Sequence, residues 1–119
     1  MSNYPKAIGP YSVYREANGL LFISGQIPIN PSTGEIESSD IKEQARQALK
    51  NVGAILSENG LNYNKVLKTT CFLADIEDFV AFNEVYAEFF NAPYPARSAF
   101  AVKALPKGAK IEIEVIAQK

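Results

Sequence analysis

The segment PYPARSAFAV, residues 93–102, carries one arginine between a proline-stiffened loop and an apolar stretch. Pro95 fixes its own φ, and both prolines bias the residues before them toward extended geometry, so Arg97 stands on a backbone with few alternatives. A guanidinium rarely enters an interior without a partner, and its planar fork matches a carboxylate in two places at once. Small neighbours, Ala96, Ser98, Ala99 and Ala101, leave open space beside it. The acid best placed to share that space is Glu112, in KIEIEVIA. If residues 97–104 and 110–118 pair as a hairpin around LPKGAK, the two side chains can face one pocket. A salt bridge at a sheet edge accounts for the same pair without any ligand, and such exposed pairs contribute little.

Other residue types narrow the chemistry further. Glu114 shares a face with Glu112 and reads as a solvated or interface charge. Cys71, in mid-strand, packs as a small hydrophobe unless a cation activates it. The stretches IGPYS and ISGQIP each combine a glycine with hydroxyl groups; a close ligand approach or merely a tight loop explains either. The chain has no histidine and one cysteine, which removes internal disulfides, multi-thiolate metal sites and histidine-dependent triads. Only carboxylate or carbonyl ligands remain for a metal, and no metal site is expected.

With 119 residues, 47% hydrophobic and 21% charged, the chain suits one domain spanning 1–119. A net charge of −1 supplies no basic surplus for a phosphate backbone, although Lys103, Lys107 and Lys110 could make a small patch. The opening MSNYPKAIGPYS lacks a secretory pattern, and no apolar run approaches membrane-spanning length. A cytoplasmic protein without membrane contact is expected.

Two strands between Tyr11 and Ile27 should join at Asn18-Gly19, which suits a two-residue hairpin turn. PINPSTGEIESS reads as a loop with room for one short strand. A helix follows: Asp40 and Glu43 have capping-box spacing, apolar residues recur at three and four from Ile41 to Leu56, and Asn59-Gly60 ends it. Residues 65–74 read as a strand. Asp75 is positioned to cap a second helix whose aromatic stripe, Phe79, Phe82, Tyr86, Phe89 and Phe90, reads as core. Strands 97–104 and 110–118 complete an α+β sandwich of about six strands in a mixed sheet, with two helices on one face. LLFISGQI and the strand 65–74 have no cleanly polar face, so a second copy of the chain is the expected cover.

Taken together, IGPYS, ISGQIPINPSTGE, IKEQARQALKNVGAIL, KTTCFLADIEDFVAFNEVYAEFF, YPARSAFAV and LPKGAKIEIEVIA resemble the reactive intermediate/imine deaminase (RidA) family from about Ile8 to Ala117. The resemblance implies a chorismate-mutase-like fold, a homotrimer with sites in clefts between subunits, and cofactor-free hydrolysis of 2-imino acids and their enamine tautomers, such as 2-aminoacrylate, to 2-oxo acids and ammonia. By position it implies that Arg97 binds the substrate carboxylate and that Glu112 handles water. Tyr11, Ser24 and Gly25 match other pocket positions. Many members carry cysteine where this chain has Ala99, whose backbone N–H can still donate to a carboxylate. Two other functions use the same residues: a 2-oxo-acid-binding regulator without turnover, and an RNA-directed translation inhibitor or ribonuclease.

Overall fold

In the computed structural model, which describes residues 3–119, the elements follow from local signals. Met1 and Ser2, part of the N-terminal stretch read above, lie outside it. β1 (Tyr14–Ala17) and β2 (Leu20–Gln26) form the expected hairpin, with Asn18 and Gly19 at φ 52° and 77°. Both turn residues being left-handed marks a type I′ turn. Helix α1 (Ile41–Glu58) starts where the Asp40 carboxylate accepts the Glu43 N–H at 3.0 Å. It stops at Asn59, and Gly60, at φ 73°, lets the Leu61 N–H return to the Leu56 carbonyl.

The loop after β2 holds a ribbon of two short strands, β3 (Ile29–Asn30) and β4 (Glu35–Ile36), in place of the one strand allowed for. β5 (Val66–Leu73) and α2 (Phe79–Phe89) follow, then β6 (Ala96–Ala101) and β7 (Ile111–Gln118). Asp75 does not cap α2. Its side chain accepts the Glu77 N–H and caps a single 3₁₀ turn, Ile76–Asp78, that leads into the helix.

The main sheet has five strands in the order β1-β2-β7-β5-β6. The expected hairpin of β6 with β7 does not form. The α2 crossover delivers β6 parallel to β5, and β7 then pairs antiparallel with the other side of β5. The intervening loop wraps the end of β5: the Val102 N–H donates to the Leu73 carbonyl, and the Ala74 N–H to the Lys110 carbonyl.

Both helices cover one sheet face, giving the expected α+β sandwich. Leu49, Val52, Ile55, Phe82 and Val85 join Leu21, Cys71, Leu73, Ile111, Ile113 and Val115 in one buried cluster. The opposite face carries Phe22, Leu67 and Phe100, each more than 40% exposed. Phe72 and Phe100 meet there edge to face, with ring centroids 5.4 Å apart. Among the described residues no helix is long and apolar enough to cross a membrane.

Gly53 shows how closely α1 is fitted to its neighbours. The Tyr63 hydroxyl donates to the Leu49 carbonyl at 2.7 Å, and a Cβ on Gly53 would lie 2.7 Å from Tyr63 Cζ. Glycine to alanine inside a helix ordinarily gains up to about 1 kcal/mol. Here the sign should reverse, because displacing Tyr63 breaks that bond and its edge contacts with Phe89 and Phe90. Gly53→Ala is expected to lose about 1–3 kcal/mol of stability, checked by urea denaturation.

Candidate functional site

A cavity of about 510 Å³ opens on the sheet face that the helices leave bare, lined by Tyr11, Ser24, Gly25, Gln26, Glu112 and Glu114 among others. Its volume falls in the usual range for small-molecule sites. Each lining element is positioned by a local feature of the chain. Between Ile23 and Gln26 the register with β7 slips, since three steps along β2 span two from Val115 to Ile113. This bulge turns Ser24 and Gly25 toward the cavity. The Ser24 hydroxyl donates to the Ser12 carbonyl at 2.6 Å and the Ser24 N–H to the Val13 carbonyl at 2.9 Å. The bonds tie the Tyr11 loop down onto the bulge. Ser24 therefore works first as a clamp, with its hydroxyl oxygen left as an acceptor. Tyr11 precedes β1, outside the strand expected to start with it, and its ring is half exposed to the cavity.

Glu112 lies across the bulge from Gly25 at very close range. A Cβ on Gly25 would sit 2.8 Å from the Glu112 carboxyl carbon and 3.0 Å from its Cγ, so glycine is what lets the glutamate lie flat over β2. The Glu112 carboxyl is pushed above the usual carboxylate range, first by half-burial and second by the neighbouring charge of Glu114. A carboxylate that is poorly solvated and keeps a tendency to take up a proton suits general-base work.

Buried amides of α1 hold part of the wall and the loops beside it. Asn51, fully buried, donates to the carbonyls of Ile27 and Ile29, both cavity residues. Gln44 bridges the Ser38 carbonyl and the Lys110 N–H. The N-terminal segment that contributes Pro5, Lys6 and Ile8 is anchored by Tyr4, whose hydroxyl joins that of Tyr14 on one oxygen of Glu58, each at 2.8 Å. Those two hydrogen bonds hold the Glu58 carboxyl below its usual range.

Arg97 is not in this cavity. Along β5, Arg97 is level with Thr69 and Glu112 with Phe72; an odd offset of three places the two side chains on opposite faces of the sheet. The shared pocket expected of one chain is corrected accordingly, because the hairpin that would have created it is split by β5. Arg97 instead sits on the helix side of the edge strand β6. Its Nη1 donates to Asn83 Oδ1 at 2.7 Å, and its guanidinium carbon lies 4.7 Å from the Tyr86 ring centroid and 5.5 Å from that of Phe79. Among the described residues it enters no ion pair. Ala99, two residues on, is level with Cys71 and packs against the core. Cys71 is buried, and burial pushes its thiol up to about 11, which leaves it protonated and inert as the packing reading expected.

Of the residues singled out from sequence, Tyr11, Ser24, Gly25 and Glu112 share one cavity, while Arg97 and Ala99 occupy the far edge. Asn83 was missed. The one signal for it was a polar residue interrupting the aromatic stripe of α2, about one turn after Phe79 and about one turn before Tyr86. Part of that stripe faces a cation instead of the core.

Against known proteins, the family model described as Endoribonuclease L-PSP matches residues 1–119. A RutC family protein of Pyrococcus horikoshii is 55% identical over 117 residues, covering 98% of this chain and 93% of that protein. The human protein named 2-iminobutanoate/2-iminopropanoate deaminase is 50% identical over 113 residues, covering 95% and 82% respectively. The crystal structure of Escherichia coli TdcF with bound serine superposes with a TM-score of 0.93 at 46% identity, covering 98% of this chain and 93% of that one.

Proposed function

The chain belongs to the Endoribonuclease L-PSP family, alongside proteins named as reactive intermediate and imine deaminases, and on that premise we propose that it hydrolyses 2-imino acids and their enamine tautomers to 2-oxo acids and ammonia. The observation that carries this reading is Glu112, a half-buried carboxylate of raised pKa on the wall of a cavity large enough for a small metabolite. Arg97, stacked, oriented and paired with no carboxylate among the described residues, is the counterpart for the substrate's acid group. That a relative binds serine, a small amino acid, fits a site for a carboxylate beside a C2 nitrogen.

Since the two residues occupy opposite faces of one sheet, the complete site is assembled between copies. The edge strand β6 of one subunit carries Arg97 to the rim of the next subunit's Glu112 cavity. The apolar sheet face with Phe22, Leu67 and Phe100 is the surface that supports such packing, and a closed ring of three copies gives three equal clefts.

In each cleft Arg97 grips the carboxylate through two parallel N–H bonds and fixes C2. Glu112 orients a water and takes one of its protons as the oxygen bonds to C2, while the C=N electron pair moves onto the protonated nitrogen. Glu112 then returns the proton to that nitrogen. The C–N bond breaks as its electron pair leaves with the nitrogen, and the C2 hydroxyl becomes the carbonyl by passing its proton through Glu112 to the departing ammonia, which leaves as ammonium.

The test couples threonine dehydratase to the protein and traps surviving imine as its semicarbazone. Wild type is expected to suppress trapping, and Arg97→Ala to raise KM by about ten- to a hundredfold, the worth of a charge-assisted bond. At substrate well below KM, mixing equal amounts of the impaired Arg97→Ala and Glu112→Gln chains should restore about a quarter of full activity, because one cleft in four then receives both intact residues. Equal clearance by wild type and Arg97→Ala would overturn the mechanism.

A further inference from the structure

Arg97 is held by a chain of contacts that begins in the core. The Thr69 hydroxyl, fully buried on β5, is 2.8 Å from the Tyr86 hydroxyl. That bond fixes the ring whose centroid is 4.7 Å from the guanidinium carbon. The Phe79 ring, one and a half to two turns earlier on α2, also lies against the guanidinium. Between them on the helix, Asn83 accepts one guanidinium N–H at 2.7 Å. The rings set the plane of the fork, and the amide sets its rotation within that plane.

The residue type at this last contact has a chemical meaning. A carboxylate would accept the same N–H more strongly, and arginine at a partly buried position ordinarily takes one. Here the acceptor is a neutral amide. It uses one of five N–H donors and cancels none of the positive charge, so the fork is aimed while its attraction for an outside anion is preserved.

We propose that Asn83 is a positioning residue for Arg97, selected as an amide because it orients the guanidinium without neutralising it for the incoming carboxylate. The proposal rests on the imine deaminase reading for the identity of the ligand, but its own content is the coupling of Asn83 to carboxylate affinity.

The test compares Asn83→Asp, nearly isosteric, with Asn83→Ala in two measurements: calorimetric binding of 2-oxobutanoate, which is not turned over, and KM and kcat for imine hydrolysis. Asp is expected to weaken 2-oxobutanoate binding by about tenfold or more, through an ion pair with Arg97 that competes with the ligand, and Ala by less, since it frees the fork but leaves the charge. KM should rise in the same order with kcat changed far less, because Glu112 is untouched. A packing role alone predicts the reverse order, with Asp milder than Ala; that order, or equal binding by Asp and wild type, would overturn the proposal. If wild type binds 2-oxobutanoate but hydrolyses no imine, the deaminase reading fails, and the order of the two variants in calorimetry still decides the role of Asn83.

Discussion

Glu112→Gln is expected to lower kcat for imine hydrolysis by about 10²- to 10⁴-fold, the usual worth of a placed general base, without weakening the binding of a 2-oxo acid. The amide keeps the shape that fits over Gly25 but cannot accept a proton from water. Calorimetry with 2-oxobutanoate beside the coupled semicarbazone assay separates the two effects. A variant that still turns over at the wild-type rate would remove Glu112 from the chemistry and leave a site that only binds.

The pH dependence gives that residue a second signature. Burial, and after it the charge of Glu114, hold the Glu112 carboxyl above its ordinary range. The working form is the ionised one, so activity should climb with pH through the raised value and fall away at a higher pH than an exposed glutamate would dictate. Stability runs the other way. The folded protein binds this proton more tightly than the unfolded chain does, so raising the pH from the ordinary carboxylate value through the raised one costs stability. Glu114→Gln removes the smaller cause and leaves the larger, and the acidic limb of kcat/KM should move to lower pH while remaining above that of an exposed glutamate. An acidic limb unmoved by Glu114→Gln would mean that the titrating group is not Glu112.

What could be read before folding was whatever a few adjacent residues decide. Asn18-Gly19 can hardly do other than turn, Asp40 caps because its side chain reaches the third N–H after it, and the alternation of Ile111, Ile113 and Val115 with Glu112 and Glu114 assigns faces before any partner is known. Strand order is different in kind. Nothing between Ala101 and Ile111 says that β7 will cross the end of β5 and pair on its far side, because the choice depends on the α2 crossover having already made β6 parallel. Misjudging that one pairing put Arg97 and Glu112 in the same pocket. The bulge at Ser24-Gly25 was hidden for a related reason: an extra residue is visible only against the partner strand. Asn83 escaped because a polar residue on a helix face reads as solvated until a partly buried cation is found opposite it. Family resemblance pointed to the pocket positions that propensity could not, yet said nothing of which face each occupies.

Gly25→Ala is expected to cost about a hundredfold or more in kcat/KM although no group that reacts is removed. The added methyl would meet the Glu112 carboxyl carbon at 2.8 Å and its Cγ at 3.0 Å, contacts too short to persist. The bulge is pinned on one side by the Ser24 bonds to Ser12 and Val13 and on the other by pairing with β7. The glutamate has the softer torsions, and it is the glutamate that must swing away. A base displaced by about 1 Å from its water loses on the order of a hundredfold. Since that loss passes through Glu112, it should vanish in its absence: adding Gly25→Ala to Glu112→Gln should cost far less than it does in wild type. Thermal melting run alongside would register a general collapse of the bulge, which would instead lower both backgrounds alike. Full additivity in the double variant, with stability intact, would show that Gly25 serves the substrate directly and not the placement of Glu112.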